Sequence, residues 1–108
     1  MAKEYLLISD DQSKGIIAIS THVLEAIVSY AIGEANGIQL ADASTFHNPI
    51  TCRIVNKEVL IDLDVKIAYG KNVNAIAESA QEHVKQTIYQ MTDIECSNIT
   101  MNITGFVF

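Results

Sequence analysis

Glu58-Val-Leu-Ile-Asp-Leu-Asp-Val-Lys-Ile-Ala-Tyr-Gly-Lys-Asn72 alternates and then turns. Val59, Ile61, Leu63, Val65 and Ile67 fall on one face, with Glu58, Asp62, Asp64 and Lys66 on the other. That two-residue period is the mark of a strand with one buried face and one wet face. Beyond Tyr69-Gly70 the period changes. Asn72 suits the N-cap of a helix on which Val73, Ile76, Ala77, Ala80, Val84, Ile88 and Met91 form an apolar stripe. Glu78, Gln81, Glu82, Lys85 and Gln86 form its wet side.

Upstream, a turn at Asn56 and Lys57 pairs this strand with residues 50–55. Ile54 then meets Val59, Cys52 meets Ile61 and Ile50 meets Leu63, whereas a one-residue slip sets apolar side chains against polar ones. Downstream, residues 98–107 read as a final strand, with Ile99, Met101, Ile103 and Val107 alternating against Asn98, Thr100, Asn102 and Thr104. Near the N-terminus, residues 15–19 read as a strand, and Ser20 or Thr21 caps a helix whose stripe is Leu24, Ile27, Val28, Ala31 and Ala35. Gly37 ends that helix. Residues 38–40 make a brief strand and residues 41–49 a loop. The expected fold is an α+β two-layer sandwich, with a small mixed or antiparallel sheet of about four strands covered on one face by two helices. Residues 1–14 are an N-terminal extension or edge strand, and residues 15–108 a single domain.

The order and spacing of these pieces resembles the alkaline-shock-protein family of Gram-positive envelope stress response proteins. The likeness runs from Gly15-Ile-Ile-Ala-Ile-Ser20 and the helix bearing Val23, Ile27 and Ala31, through Gly37-Ile38 and Asp62-Leu-Asp-Val-Lys-Ile-Ala-Tyr-Gly70. It continues through Val73 to Met91-Thr92 and ends at Met101-Asn-Ile-Thr-Gly-Phe-Val107. Asp93 stands where the family usually has a helix-ending glycine.

Composition points to one domain. A chain of 108 residues at 49% hydrophobic content supports one modest core. Its 13 acidic and 7 basic residues give a formal net charge of −6, which repels nucleic-acid backbones and anionic lipid alike. The apolar run Tyr5-Leu-Leu-Ile8 is too short for a signal-peptide core, and no stretch has the length of a membrane span. A cytoplasmic protein is expected, reaching the membrane only through a partner.

Few residues suggest chemistry, and each has a plainer reading. Asp62 and Asp64 share a strand face and can bind a cation or share a proton, but a solvated face neutralised by Lys66 explains them too. His22, His47 and His83 lack the spacing of a metal site. His47 near Cys52 invites a base–nucleophile pair without an orienting third group. Cys52 and Cys96 come within disulfide range only if their strands are neighbours, and otherwise pack as small hydrophobes. No catalytic residue, metal ligand or cofactor site is assigned.

The remaining candidates are contact surfaces. Tyr69-Gly70-Lys71-Asn72 leads into a helix N-terminus, where backbone N–H groups and Lys71 favour an anion, although a glycine turn with an Asn cap accounts for it as well. Phe106 and Phe108 make an apolar segment suited to an interface or to packing at the domain edge. An unpaired edge strand also offers self-association.

The resemblance implies a non-enzymatic protein-interaction domain supporting envelope stress response and lipid homeostasis. It would act as a scaffold near the cytoplasmic membrane face, with a membrane-anchor protein as partner and as a possible homo-oligomer. The alternative that it implies is a regulator of acetyl-CoA carboxylase and fatty-acid synthesis, bound to carboxylase subunits. A KH-like RNA-binding module is a third reading, opposed by the acidic charge and the lack of a GxxG loop.

Overall fold

The alternating segment becomes the strand around which the other elements are arranged. The structure, a computed structural model, describes residues 5–11, 15–44, 48–56 and 58–108, with side chains from Ala18 onward. In chain order the elements are β1 (Tyr5–Asp11), β2 (Gly15–Ser20), α1 (Thr21–Glu34), β3 (Ile38–Leu40), β4 (Ile50–Val55), β5 (Glu58–Ala68), α2 (Val73–Thr92) and β6 (Cys96–Val107).

β5 is central to a mixed sheet. Along one edge it pairs antiparallel with β4 and then with β3, and along the other it pairs parallel with β6. The β4–β5 register is the one the apolar matching requires: Ile54 opposite Val59, Cys52 opposite Ile61, Ile50 opposite Leu63. Asn56 turns the hairpin at φ 51°, a conformation Asn tolerates better than most side chains. Lys57, the other expected turn residue, lies outside the described residues. The parallel pairing of β6 follows from lengths. The 20 residues of α2 carry the chain back about 30 Å, close to the span of roughly 36 Å expected for the 11 residues of β5, so β6 starts beside the beginning of β5.

Both helices cover one face. Leu24, Val28, Ala31 and Ile32 of α1 and Ala80, Val84 and Ile88 of α2 are buried against Val59, Ile61, Leu63, Val65 and Ile67. Two stripe assignments need correcting. Met91 is 61% exposed, and Ile32 is fully buried on the core face of α1 while Ala35 packs against the core only in part. Thr87 is buried although polar, since its hydroxyl donates to the His83 carbonyl at 2.7 Å within the helix.

The N-terminal strand departs from expectation. β2 does not join the main sheet; it pairs antiparallel with β1 in a separate two-stranded ribbon, Tyr5 opposite Ser20. The Ser20 side chain accepts from the Val23 N–H at 3.4 Å and caps α1.

α2 closes on a left-handed residue, whereas α1 closes on Ala35 in an extended conformation with its N–H on the Ile32 carbonyl at 3.1 Å. Gly37 therefore does not end α1 as expected but lies in the turn before β3. Asp93 adopts φ 65° after α2, with its N–H on the Tyr89 carbonyl at 2.8 Å, so it performs the turn that glycine makes without strain. Gly37 adopts φ +80° after α1, and a Cβ there would lie 3.1 Å from Ile76 Cδ1. Gly37→Ala is therefore expected to lower stability by about 1–2 kcal/mol, measured as a reduced urea midpoint with an unchanged slope.

Candidate interaction site

The end of β5, the start of α2 and the end of β6 meet at one corner. The Tyr69 N–H donates to the Val107 carbonyl at 2.8 Å and extends the β5–β6 ladder past the strand end. Gly70 then turns the chain at φ +85°. The Asn72 side chain accepts from the Ala75 N–H at 3.1 Å and caps α2.

A bulge in β6 decides which side chains this corner displays. From Ile61–Ile99 to Val65–Ile103 the two strands advance together, but the next pair is Lys66–Gly105, leaving Thr104 without an opposite residue. The Thr104 hydroxyl donates to the Val65 carbonyl at 3.3 Å and fills the gap in the ladder. Past the bulge the faces exchange: Phe106 sits opposite Ile67 on the helix side, and Val107 sits opposite Ala68 on the other. The simple alternation that groups Val107 with Ile99, Met101 and Ile103 thus fails at Thr104. Gly105 inside a strand is the signal in the sequence that marks this break.

The result is an aromatic cluster. The Tyr69 ring meets Phe106 edge-on at 6.3 Å between centroids and lies against Phe108 at 4.9 Å and 33°. All three rings remain accessible, Tyr69 at 67%, Phe106 at 47% and Phe108 at 96%. Lys71 is exposed in the turn beside them. The two stretches singled out separately in the sequence, 69–72 and 106–108, therefore form one surface.

Elsewhere, the titratable candidates are tied into the fold. Asn102 of β6 donates to Asp62 at 2.6 Å and to Asp64 at 3.1 Å, bridging the aspartate pair. Lys66, expected to neutralise them, instead bonds Asp42 at 3.3 Å. His22 lies 3.9 Å from Glu25 on the surface of α1, and His83 of α2 reaches Glu34 of α1 at 3.2 Å, linking the helices. No cluster of His, Cys, Asp and Glu suited to a metal ion occurs among the described residues.

The thiols carry no sign of activation. Cys52 is buried, and desolvation first, then the charges of Glu25 and Cys96, push its thiol up to about 12. A nucleophile needs the opposite shift. His47, its proposed base, lies outside the described residues. Burial also raises the Cys96 thiol, partly offset by Lys85. Both cysteines are free. β5 separates their strands by roughly 10 Å, beyond disulfide reach.

The geometry defines a two-layer α+β domain that holds an aromatic corner in place by backbone ladder, bulge and helix cap. The chain belongs to the alkaline-shock-protein family, whose family model is described as having a cell envelope-related function and matches residues 9–108. This is the group that the sequence resembles, and the model's own description is the alkaline shock protein 23 family, cell envelope-related function. The chain is 22% identical over 111 residues to the protein named "Uncharacterized protein YqhY" of Bacillus subtilis (strain 168), covering 92% of this chain and 82% of the relative. It is 21% identical over 103 residues to the "Stress response regulator gls24 homolog" of Streptococcus pyogenes serotype M3 (strain ATCC BAA-595 / MGAS315). That match covers 83% of this chain but spans only 58% of the streptococcal protein. No solved structure matches. Among the described residues, no helix is long and apolar enough to cross a membrane.

Proposed function

We propose that this chain is a non-enzymatic interaction domain of the envelope stress response, a scaffold held near the cytoplasmic face of the membrane by a membrane-anchor protein. The observation that carries this reading is the accessible corner of Tyr69, Phe106 and Phe108. Large aromatic side chains are costly to leave in water and are the residue types that most often dominate binding energy at protein interfaces. Tyr69 and Phe106 stand on hydrogen-bonded strand backbone, so little ordering entropy opposes their docking. Family membership supplies the envelope context.

Partner capture tests it. Tagged protein crosslinked gently in its native cells is expected to recover a membrane-anchor protein, and Tyr69→Ser with Phe106→Ser to reduce that recovery about tenfold or more. Equal recovery with both variants would remove the corner from the interface. Recovery of carboxylase subunits instead would move the assignment to control of fatty-acid synthesis. In a parallel arm, purified protein is expected not to sediment with anionic liposomes, because a net charge of −6 opposes that surface. Sedimentation without a partner would contradict the anchored arrangement.

A further inference from the structure

β6 is an edge strand with little of the usual protection. It pairs with β5 on one side and, among the described residues, with no strand on the other. Its 12 residues include no Lys, Arg, Asp, Glu or Pro, the residues that normally discourage edge pairing. Its bulges lie at the ends, at Ser97 and Thr104, leaving a regular run between them.

That run reads the same in both directions. Asn98-Ile-Thr-Met-Asn-Ile-Thr104 alternates polar and apolar symmetrically about Met101. We propose that two copies of the chain join through β6, antiparallel about a twofold axis at Met101, making one continuous sheet. Met101 then faces Met101, Ile99 faces Ile103, and Thr100 faces Asn102, all within the regular run between the bulges. Every apolar residue meets an apolar one and no charges are opposed.

The backbone fits the same axis. The Ile99 carbonyl accepts from the Gln81 side chain of α2 at 3.1 Å, which assigns it to the side away from β5. Alternation turns the backbone groups of Met101 and Ile103 the same way. In the proposed register these residues face one another and exchange N–H···O=C bonds, and the partner strand takes the place of the Gln81 amide. The seam is only about 20 Å long, so the association is weak at low concentration. Each copy carries −6, and salt that screens this repulsion strengthens pairing. The inference does not depend on the aromatic corner or on the identity of any other partner.

Sedimentation equilibrium of the full chain from about 10 µM to about 1 mM, at low and high salt, tests it. The wild type is expected to dimerise with rising concentration, more readily at high salt. Met101→Lys places like charges across the axis and is expected to weaken dimerisation at least about tenfold. Mixing Met101→Lys with Met101→Glu is expected to restore a heterodimer, which a merely misfolded variant could not do. A monomeric wild type throughout this range would overturn the proposal. So would a Met101→Lys protein that dimerises as tightly as the wild type, or a charge-swapped mixture that stays monomeric.

Discussion

Leu63→Ala is expected to lower the free energy of unfolding by about 2–5 kcal/mol. Leu63 is fully buried at the middle of β5, with Ile50 of β4 opposite on one side and Met101 of β6 on the other. Three strands and two helices fix its surroundings, so the space left by the lost methyl groups cannot readily collapse. A domain of this size has only about 5–15 kcal/mol in total, and the low end of that range would not survive the change. Urea unfolding monitored by far-ultraviolet circular dichroism measures it. A loss below about 1 kcal/mol would mean that β5 does not sit at the centre of the core. By contrast, truncating the exposed Tyr69 is expected to change stability little while affecting binding.

The second large effect is alkaline. The folded Cys52 thiol stays protonated up to about 12, whereas the same group in the unfolded chain ionises near its ordinary value of 9.0. The folded-state value is the raised one. The stabilisation is therefore fully present below pH 9 and is lost as pH rises toward 12, with an upper slope of about 1.4 kcal/mol per pH unit. Cys52→Val, compared with the wild type between pH 8.5 and about 10.5, is expected to flatten this part of the stability profile. Parallel profiles would refute it. The same shift lowers the thiolate fraction by a factor of about a thousand near neutral pH. In a Cys96→Ser background, a disulfide reagent should therefore label Cys52 only as fast as the domain unfolds. Rapid labelling of the folded protein would place Cys52 outside the core.

Much of this architecture is legible in the sequence where local and global signals agree. The β4–β5 register is one case, since apolar matching over several residues leaves a single alignment and a one-residue error is penalised at every position. Both helix caps, Ser20 and Asn72, are also readable, because each is a short-range hydrogen bond. The departures arise from longer-range geometry. β2 has the composition of a sheet strand, yet its partner is β1, and nothing local specifies which of several apolar strands it joins. Lys66 shares a face with Asp62 and Asp64 but reaches Asp42 across the neighbouring loop connection. Asn102 bridges the aspartates only because β6 lies parallel to β5 in this register.

The aromatic corner is half legible. Tyr69, Lys71, Phe106 and Phe108 stand out by type and position, but the adjacency of the two stretches depends on the parallel return of β6 and the facing of Phe106 on the residue skipped at Thr104.

That skipped residue makes display in β6 a matter of parity. Removing Thr104 would straighten the ladder and keep Phe106 opposite Ile67, whereas one extra residue between Gly105 and Phe106 would move Phe106 opposite Ala68 and retract its ring from the cluster. Surface identity at this corner is thus set by counting along the chain from the bulge, so a single insertion beyond Gly105 can rewrite recognition more abruptly than substitution of the aromatic residues themselves.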